Sequence, residues 1–182
     1  MAGFNKRWLQ RIRVPAAIPF AVLLLVFAAP TWASVAIGTA LAIAGMAVRT
    51  WAMGHLRKAS VLSTSGPYAR VRNPLYIGSF ILGAGFVAAA NVWWLAVIFI
   101  ILMAGIYLPV AFVEEVDLKQ LFGTEFENYR ANVPAFMPRL SPWENSGGKF
   151  DFQLYLKSRE YKACIGAAAA LLFLASKVYW GF

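Results

Sequence analysis

Two polar clusters hold the residue types that could do chemistry. The first runs Gly66-Pro67-Tyr68-Ala69-Arg70-Val71-Arg72-Asn73-Pro74-Leu75-Tyr76-Ile77-Gly78. The second opens on Glu114-Glu115 and continues through Leu118, Phe122-Gly123, Phe126, Tyr129 and Val133-Pro134 to Pro138. A guanidinium at Arg70 or Arg72 can hold a carboxylate or phosphate through paired hydrogen bonds; the plainer reading is a headgroup anchor beside an apolar run. Glu114 and Glu115 stand where an apolar run ends, and carboxylates there need partners or water. Neighbours on a helix point about 100° apart, so the two cannot both line one wall squarely; Asp117 shares the Glu114 face. Taken alone, the glutamates fit a solvated helix end. Asn73-Pro74 reads as a helix start, Asn73 at the N-cap and Pro74 at the first helical position. Tyr76 lies one turn in, its ring free to pack and its hydroxyl able to reach the polar mouth.

Three further residues are single candidates. Arg49, followed by Trp51, either snorkels to headgroups or pairs with Glu114 or Glu115. His55 is the only histidine, which removes a multi-histidine metal site and leaves a residue expected at the surface. Cys164 is the only cysteine, so neither an intrachain disulfide nor a Cys-based zinc site is possible; it reads as a small packing residue.

The elements that must position these groups are membrane helices. The chain is 60% hydrophobic, with mean hydropathy +0.62 and 14% charged residues, against about 25% charged in a soluble domain. Five apolar runs stand out: about Val14–Ala29, Ala33–Gly54, Leu75–Ala90, Val92–Val113 and Ala163–Trp180. Thr31-Trp32-Ala33 could pass for a signal-peptidase site, but the first run is read as a span. Pro30-Thr31 and Asn91 mark tight turns. The expected fold is an all-α polytopic bundle, one domain over 1–182, with an amphipathic helix at its polar end. Roughly 40 uncharged residues separate the two clusters, enough for two crossings. An even number of crossings brings both clusters to one membrane surface.

Charge sets the orientation. The formal net charge is +9; without a nucleic-acid motif, basic residues beside apolar spans point to anionic lipid and not to nucleic acid. Lys6, Arg7, Arg11, Arg13, Arg49, Arg57, Lys58, Arg70, Arg72 and the Lys and Arg of 119–162 share one side, and Lys177 stands alone on the other. The positive-inside bias places the N-terminus and both clusters in the cytoplasm, in a bacterial inner membrane. Gly38 and Gly45, Gly78, Gly83 and Gly85, and Gly166 with Ala167–Ala170 supply small faces for close helix approach. Leu118, Phe122, Phe126 and Tyr129 form one helical stripe, interrupted by Gly123 and ended at Val133-Pro134; it rests on the membrane or caps the bundle mouth. Ser146-Gly147-Gly148 reads as a break, and the last helix as starting near Asp151.

The order and spacing of these pieces over roughly 45–140 resemble the isoprenylcysteine carboxyl methyltransferase and phospholipid N-methyltransferase superfamily. Its pattern is Gly-Pro-Tyr, Arg-His-Pro-x-Tyr-x-Gly, two spans, Glu-Glu-x-x-Leu, Phe-Gly-x-x-Tyr-x-x-Tyr and Val-Pro. Two positions depart from it: Asn73 replaces the family histidine, removing a titratable group, and Phe126 replaces a tyrosine. The resemblance implies an S-adenosylmethionine-dependent methyltransferase, without a metal, acting on a lipophilic acceptor from the bilayer. It implies a donor site built from Leu62, Gly66, Tyr68, Arg70, Arg72, Asn73, Pro74, Tyr76, Gly78, Glu114, Glu115 and Tyr129. Arg72, Asn73 and Glu115 are the catalytic candidates; Arg70 or Arg72 would hold the donor's carboxylate, Glu114 or Glu115 its ammonium or ribose, and Tyr76, Tyr129 or Phe136 its adenine. The readings weighed against it are an NADPH-dependent sterol-type reductase and a non-catalytic membrane scaffold or small transporter.

Overall fold

A computed structural model describes residues 6–57, 61–143 and 148–181, with the side chains of the first helix described from residue 17. The described residues form helices and turns, and no strand occurs among them. In chain order these are α1 (Lys6–Phe27), α2 (Trp32–Met53), a 3-10 turn (Gly66–Ala69), α3 (Pro74–Ala90), α4 (Trp93–Leu102), a π turn (Met103–Tyr107), α5 (Leu108–Asn132), α6 (Phe152–Ser158) and α7 (Tyr161–Trp180). Lys58 and the Ser146-Gly147 part of the expected break lie outside the described residues, as do the side chains of Lys6, Arg7, Arg11 and Arg13.

Three helices are long and apolar enough to cross a membrane: α2, the continuous run Trp93–Asn132, and α7. Ala17–Phe27 and Pro74–Ala90 are apolar but shorter. The five expected spans thus all appear as helices, and α3 is below ordinary crossing length. Proline fixes the start of α3, so its 17 residues give about 25 Å at 1.5 Å each, short of a hydrocarbon core of about 30 Å.

Local chemistry sets the ends. Thr31 caps α2 through a reciprocal box: Ser34 N donates to Thr31 Oγ1 (3.1 Å) and Thr31 N to Ser34 Oγ (2.8 Å). Asn91 ends α3 in the left-handed conformation at φ 57°, the tight turn expected there.

The α2–α3 pair is the spine, and it packs through backbone. A methyl group on Gly85 would lie 2.7 Å from Ala42 N and Gly38 O, and one on Gly45 would lie 2.7 Å from Gly78 O. Glycines here let membrane helices touch where lipid supplies no hydrophobic push. The small face at Gly166 is different: a methyl there would meet nothing within 4 Å.

At the end opposite the polar clusters, Leu24, Ala28, Val35, Ala89, Ala90, Leu95 and Leu174 form a buried cluster. Lys177 is buried beside it, and its Nζ donates to the carbonyls of Leu25 (3.3 Å), Val26 (3.2 Å) and Ala28 (2.9 Å). It neutralises the carbonyls left open at the end of α1.

The fourth run is less regular than its composition implies. It passes without a break from Trp93 into α5, but through a five-residue π turn that no apolar pattern signals. Gly123, at φ 51° and ψ −122°, then kinks α5, and Val133 takes an extended backbone at its end. After α5 the chain reaches α6, which Asp151 caps by accepting from Gln153 N and Leu154 N. Arg159 at φ 58° separates α6 from α7, so the last helix has a distinct first segment.

Candidate functional site at the polar end of the bundle

The two clusters meet. Arg72, in the extended stretch before α3, places Nη2 2.9 Å from Glu115 Oε1 on α5. Arg130 Nε approaches the other carboxylate oxygen at 3.8 Å. Glu115 is 9% exposed, so the pair is largely out of water, where breaking it would strand a buried charge. Arg72 Nη1 also donates to Arg130 O at 3.0 Å.

Backbone bonds hold this meeting in place. After α5 the chain folds back along residues 69–73: Arg72 N donates to Pro134 O (2.9 Å), Arg139 N to Arg70 O (2.9 Å) and Trp143 N to Ala69 O (2.7 Å). Asn73 Nδ2 donates to Ala135 O at 3.2 Å. Asn73 therefore stands at the start of α3 without capping it by its side chain, contrary to the expectation, because its amide is drawn to the returning strand of chain.

The stripe on α5 turns inward, over the loop before α3. Phe126 and Tyr129 are buried with Leu62 and Val133, and Leu118, Phe122 and Trp143 pack against them. Tyr129 Oη donates to Tyr68 O at 2.8 Å, and its ring lies 5.7 Å from Trp143 and 6.3 Å from Phe126. That packing makes Tyr129 a strut of the loop.

Two polar atoms remain unanswered here. Tyr68 Oη and Arg72 Nε are buried with no hydrogen-bond partner among the described residues. Such groups cost about 1–3 kcal/mol each when left unpaired, so each calls for a partner from water or a bound molecule. Burial, then Tyr129, then Glu114 push the Tyr68 phenol above its ordinary value of 10.0, which keeps it a neutral donor.

The remaining expected residues divide. Leu62 and Pro74 are buried around the site, and Glu114 is partly exposed beside Glu115. Gly66, at φ +60°, lies against the His55 ring. His55 is 6% exposed and its Nδ1 lies 3.0 Å from Trp51 O, which corrects the surface placement; its ring is covered by Gly66 and Phe150. Arg70 Nη1 donates to the carbonyls of Arg139 and Leu140, so it braces the returning chain. The ring of Tyr76 meets that of Tyr107 edge-on at 5.9 Å. Gly78 makes room for the Arg49 stem, a packing role. Arg49 pairs with neither Glu114 nor Glu115: its Nε lies 2.5 Å from Glu160 Oε1, because Glu160 stands at the head of α7 beside α2. Sequence reasoning missed Arg139, Trp143 and Glu160. The first two join through backbone groups that every residue carries, so their identities carry no signal; an acidic residue just before an apolar run was the one cue to Glu160.

The pattern of a family described as phospholipid methyltransferase matches residues 19–125. The nickel-cobalt-cadmium resistance protein NccN of Alcaligenes xylosoxydans xylosoxydans is 35% identical over 119 residues, 61% of this chain and 54% of that protein. The cobalt-zinc-cadmium resistance protein CzcN of Cupriavidus metallidurans is 34% identical over 107 residues, 58% of this chain and 48% of that protein. The chain thus spans about half the length of these curated relatives. No solved structure matches it.

Proposed function

The chain belongs to the phospholipid methyltransferase family, and on that footing we propose that it is an integral-membrane methyltransferase. In this reading it takes a methyl group from S-adenosylmethionine and delivers it to a lipophilic acceptor at the cytoplasmic face. The observation that carries the reading is the buried Arg72–Glu115 pair, which joins the two motif clusters across two helices.

S-adenosylmethionine, when bound, supplies a methyl group already activated on a sulfonium. What the chain adds is binding, aim and exclusion of water. An amino-acid zwitterion carries the same two charges as the ion pair, in the opposite sense. Arg72 would hold its carboxylate and Glu115 its ammonium, each trading one charged partner for another. The open donors Arg72 Nε and Tyr68 Oη fit the carboxylate and a ribose oxygen. Asn73 would orient its neighbours through Ala135, and it brings no base. Tyr129 supports the floor through Tyr68 O.

The two relatives are named for metal resistance.

Isothermal titration of purified protein with S-adenosylhomocysteine tests the reading. Saturable binding is expected. Arg72→Ala and Glu115→Gln should each weaken it about tenfold or more, equivalent to about 1.4 kcal/mol. A folded protein that binds neither this nor the donor overturns it.

A further inference from the structure

A groove of about 610 Å³ runs between α2 and α7. Ala42, Ala47 and Trp51 line it from α2, and Cys164, Ala168 and Leu171 from α7. It shares no lining residue with the candidate site, nor with the inner cavity of about 330 Å³ between α1, α3 and the π turn.

The groove is as deep as one leaflet. Ala42 stands at the middle of α2 (Trp32–Met53) and Leu171 at the middle of α7 (Tyr161–Trp180). From these midpoints the groove runs toward the polar end, to Trp51 and Cys164, about 14 and 10 Å away at 1.5 Å per residue. Half a hydrocarbon core is about 15 Å. Ala47 and Ala168 are exposed along it, and their side chains are too short to fill it.

The mouth has the chemistry of a headgroup layer. Trp51, Phe150 and Tyr161 are exposed there, and Trp and Tyr rings belong at that level of a bilayer. Behind them Tyr155 Oη closes the polar end, 4.0 Å from Cys164 Sγ. Lys149, Lys157, Arg159 and Lys162 are all exposed in the stretch that covers this end. The two acids of the same stretch are occupied: Asp151 Oδ1 accepts from Gln153 N and Leu154 N, and Glu160 is buried against Arg49. Such a rim attracts anionic headgroups.

We propose that this groove holds one acyl chain of an anionic phospholipid from the leaflet on the polar side, with its phosphate among these cations. The apolar trough answers the tail and the basic rim the phosphate, while a zwitterionic lipid would bring an ammonium to the same rim. A helix from a second copy fits less well. A crossing helix needs a seam through both leaflets, and this groove ends at the middle of α2 and α7. Bound there, the lipid braces α7 against α2. The site is separate from methyl transfer and stands independently of that reading.

The test uses the full chain in maltoside detergent and a phosphatidylglycerol probe with a diazirine midway along one acyl chain. Light should attach the probe to residues 42–51 and 164–171, as read by peptide mass spectrometry. Unlabelled phosphatidylglycerol should displace it at about one tenth of the concentration that phosphatidylcholine needs. Lys149→Gln, Lys157→Gln, Arg159→Gln and Lys162→Gln combined should erase that preference while labelling persists. Ala47→Leu and Ala168→Leu each add a side chain to the open trough, from different helices, and each should cut labelling about threefold. Equal displacement by the two lipids, or labelling spread evenly over the lipid-facing helices, overturns the proposal. So does a dimer on size-exclusion chromatography whose groove peptides take no label. S-adenosylhomocysteine titration of the same samples reads the donor site separately, and the groove variants should leave it unchanged.

Discussion

At the scale of single residues, the site is governed by where protons and charges cannot go. The Tyr68 phenol is raised by burial and by its neighbours, so the folded chain holds its proton where an unfolded chain, with an ordinary value near 10.0, releases it. The folded state binds more protons above that value, and stability should fall as pH rises through it. Below pH 10 the group contributes no slope. A melting-temperature series from pH 7 to 11 should therefore be flat in this respect until about pH 10, and Tyr68→Phe should make the decline above it shallower. Arg72 and Glu115 were legible as a pair of candidates because their motifs sit at the two ends of one uncharged stretch. Their geometry also distinguishes Glu115 from Glu114, which adjacency in the chain could not do. Arg70 and Arg72 looked alike in sequence; only the returning chain, with carbonyls at Arg139 and Leu140, separates brace from ligand candidate.

At the scale of elements, glycine placement decides which helices touch and where they bend. Gly45→Leu would drive a side chain into the backbone of α3 at Gly78 and Leu82. Overpacking of this kind costs about 1–3 kcal/mol, and a lower midpoint of thermal unfolding in detergent should show it. Gly123→Ala meets no steric obstacle, yet its φ of 51° with ψ −122° suits glycine alone, at a cost of roughly 1–3 kcal/mol. The expected result is a loosened Phe126–Tyr129 cluster and weaker S-adenosylhomocysteine binding with α2–α3 intact. Hydrogen exchange at residues 124–133 would report the first effect. The glycine spacing, the Asn91 turn and the Val133-Pro134 stop were all readable, because each rests on local backbone physics. The π turn was not, since Met103, Ala104, Gly105, Ile106 and Tyr107 are as apolar as an ordinary helical run. The pairing of 69–73 with 134–143 was equally hidden, being made of main-chain bonds.

At the scale of the whole molecule, five apolar helices and a basic end were evident from hydropathy and charge alone. That reading also proposes a side. With Cys164 replaced by Ser, a cysteine at Leu140, 98% exposed, should react with an impermeant maleimide only from the cytoplasm. One at Trp93, 79% exposed, should react only from the other side, and the reverse pattern would invert the topology. The opposite end holds a feature with its own mechanical meaning. Lys177 rests on three carbonyls of the α1 end, Ala29 N donates to Ala90 O at 2.9 Å, and Asn91 Nδ2 donates to Ala29 O at 3.2 Å. Any tilting of α1 must pivot about this fastening. Because Phe20 and Leu24 of α1 form one wall of the inner cavity, such a swing would widen the chamber most at the far end from the pivot, beside Arg49.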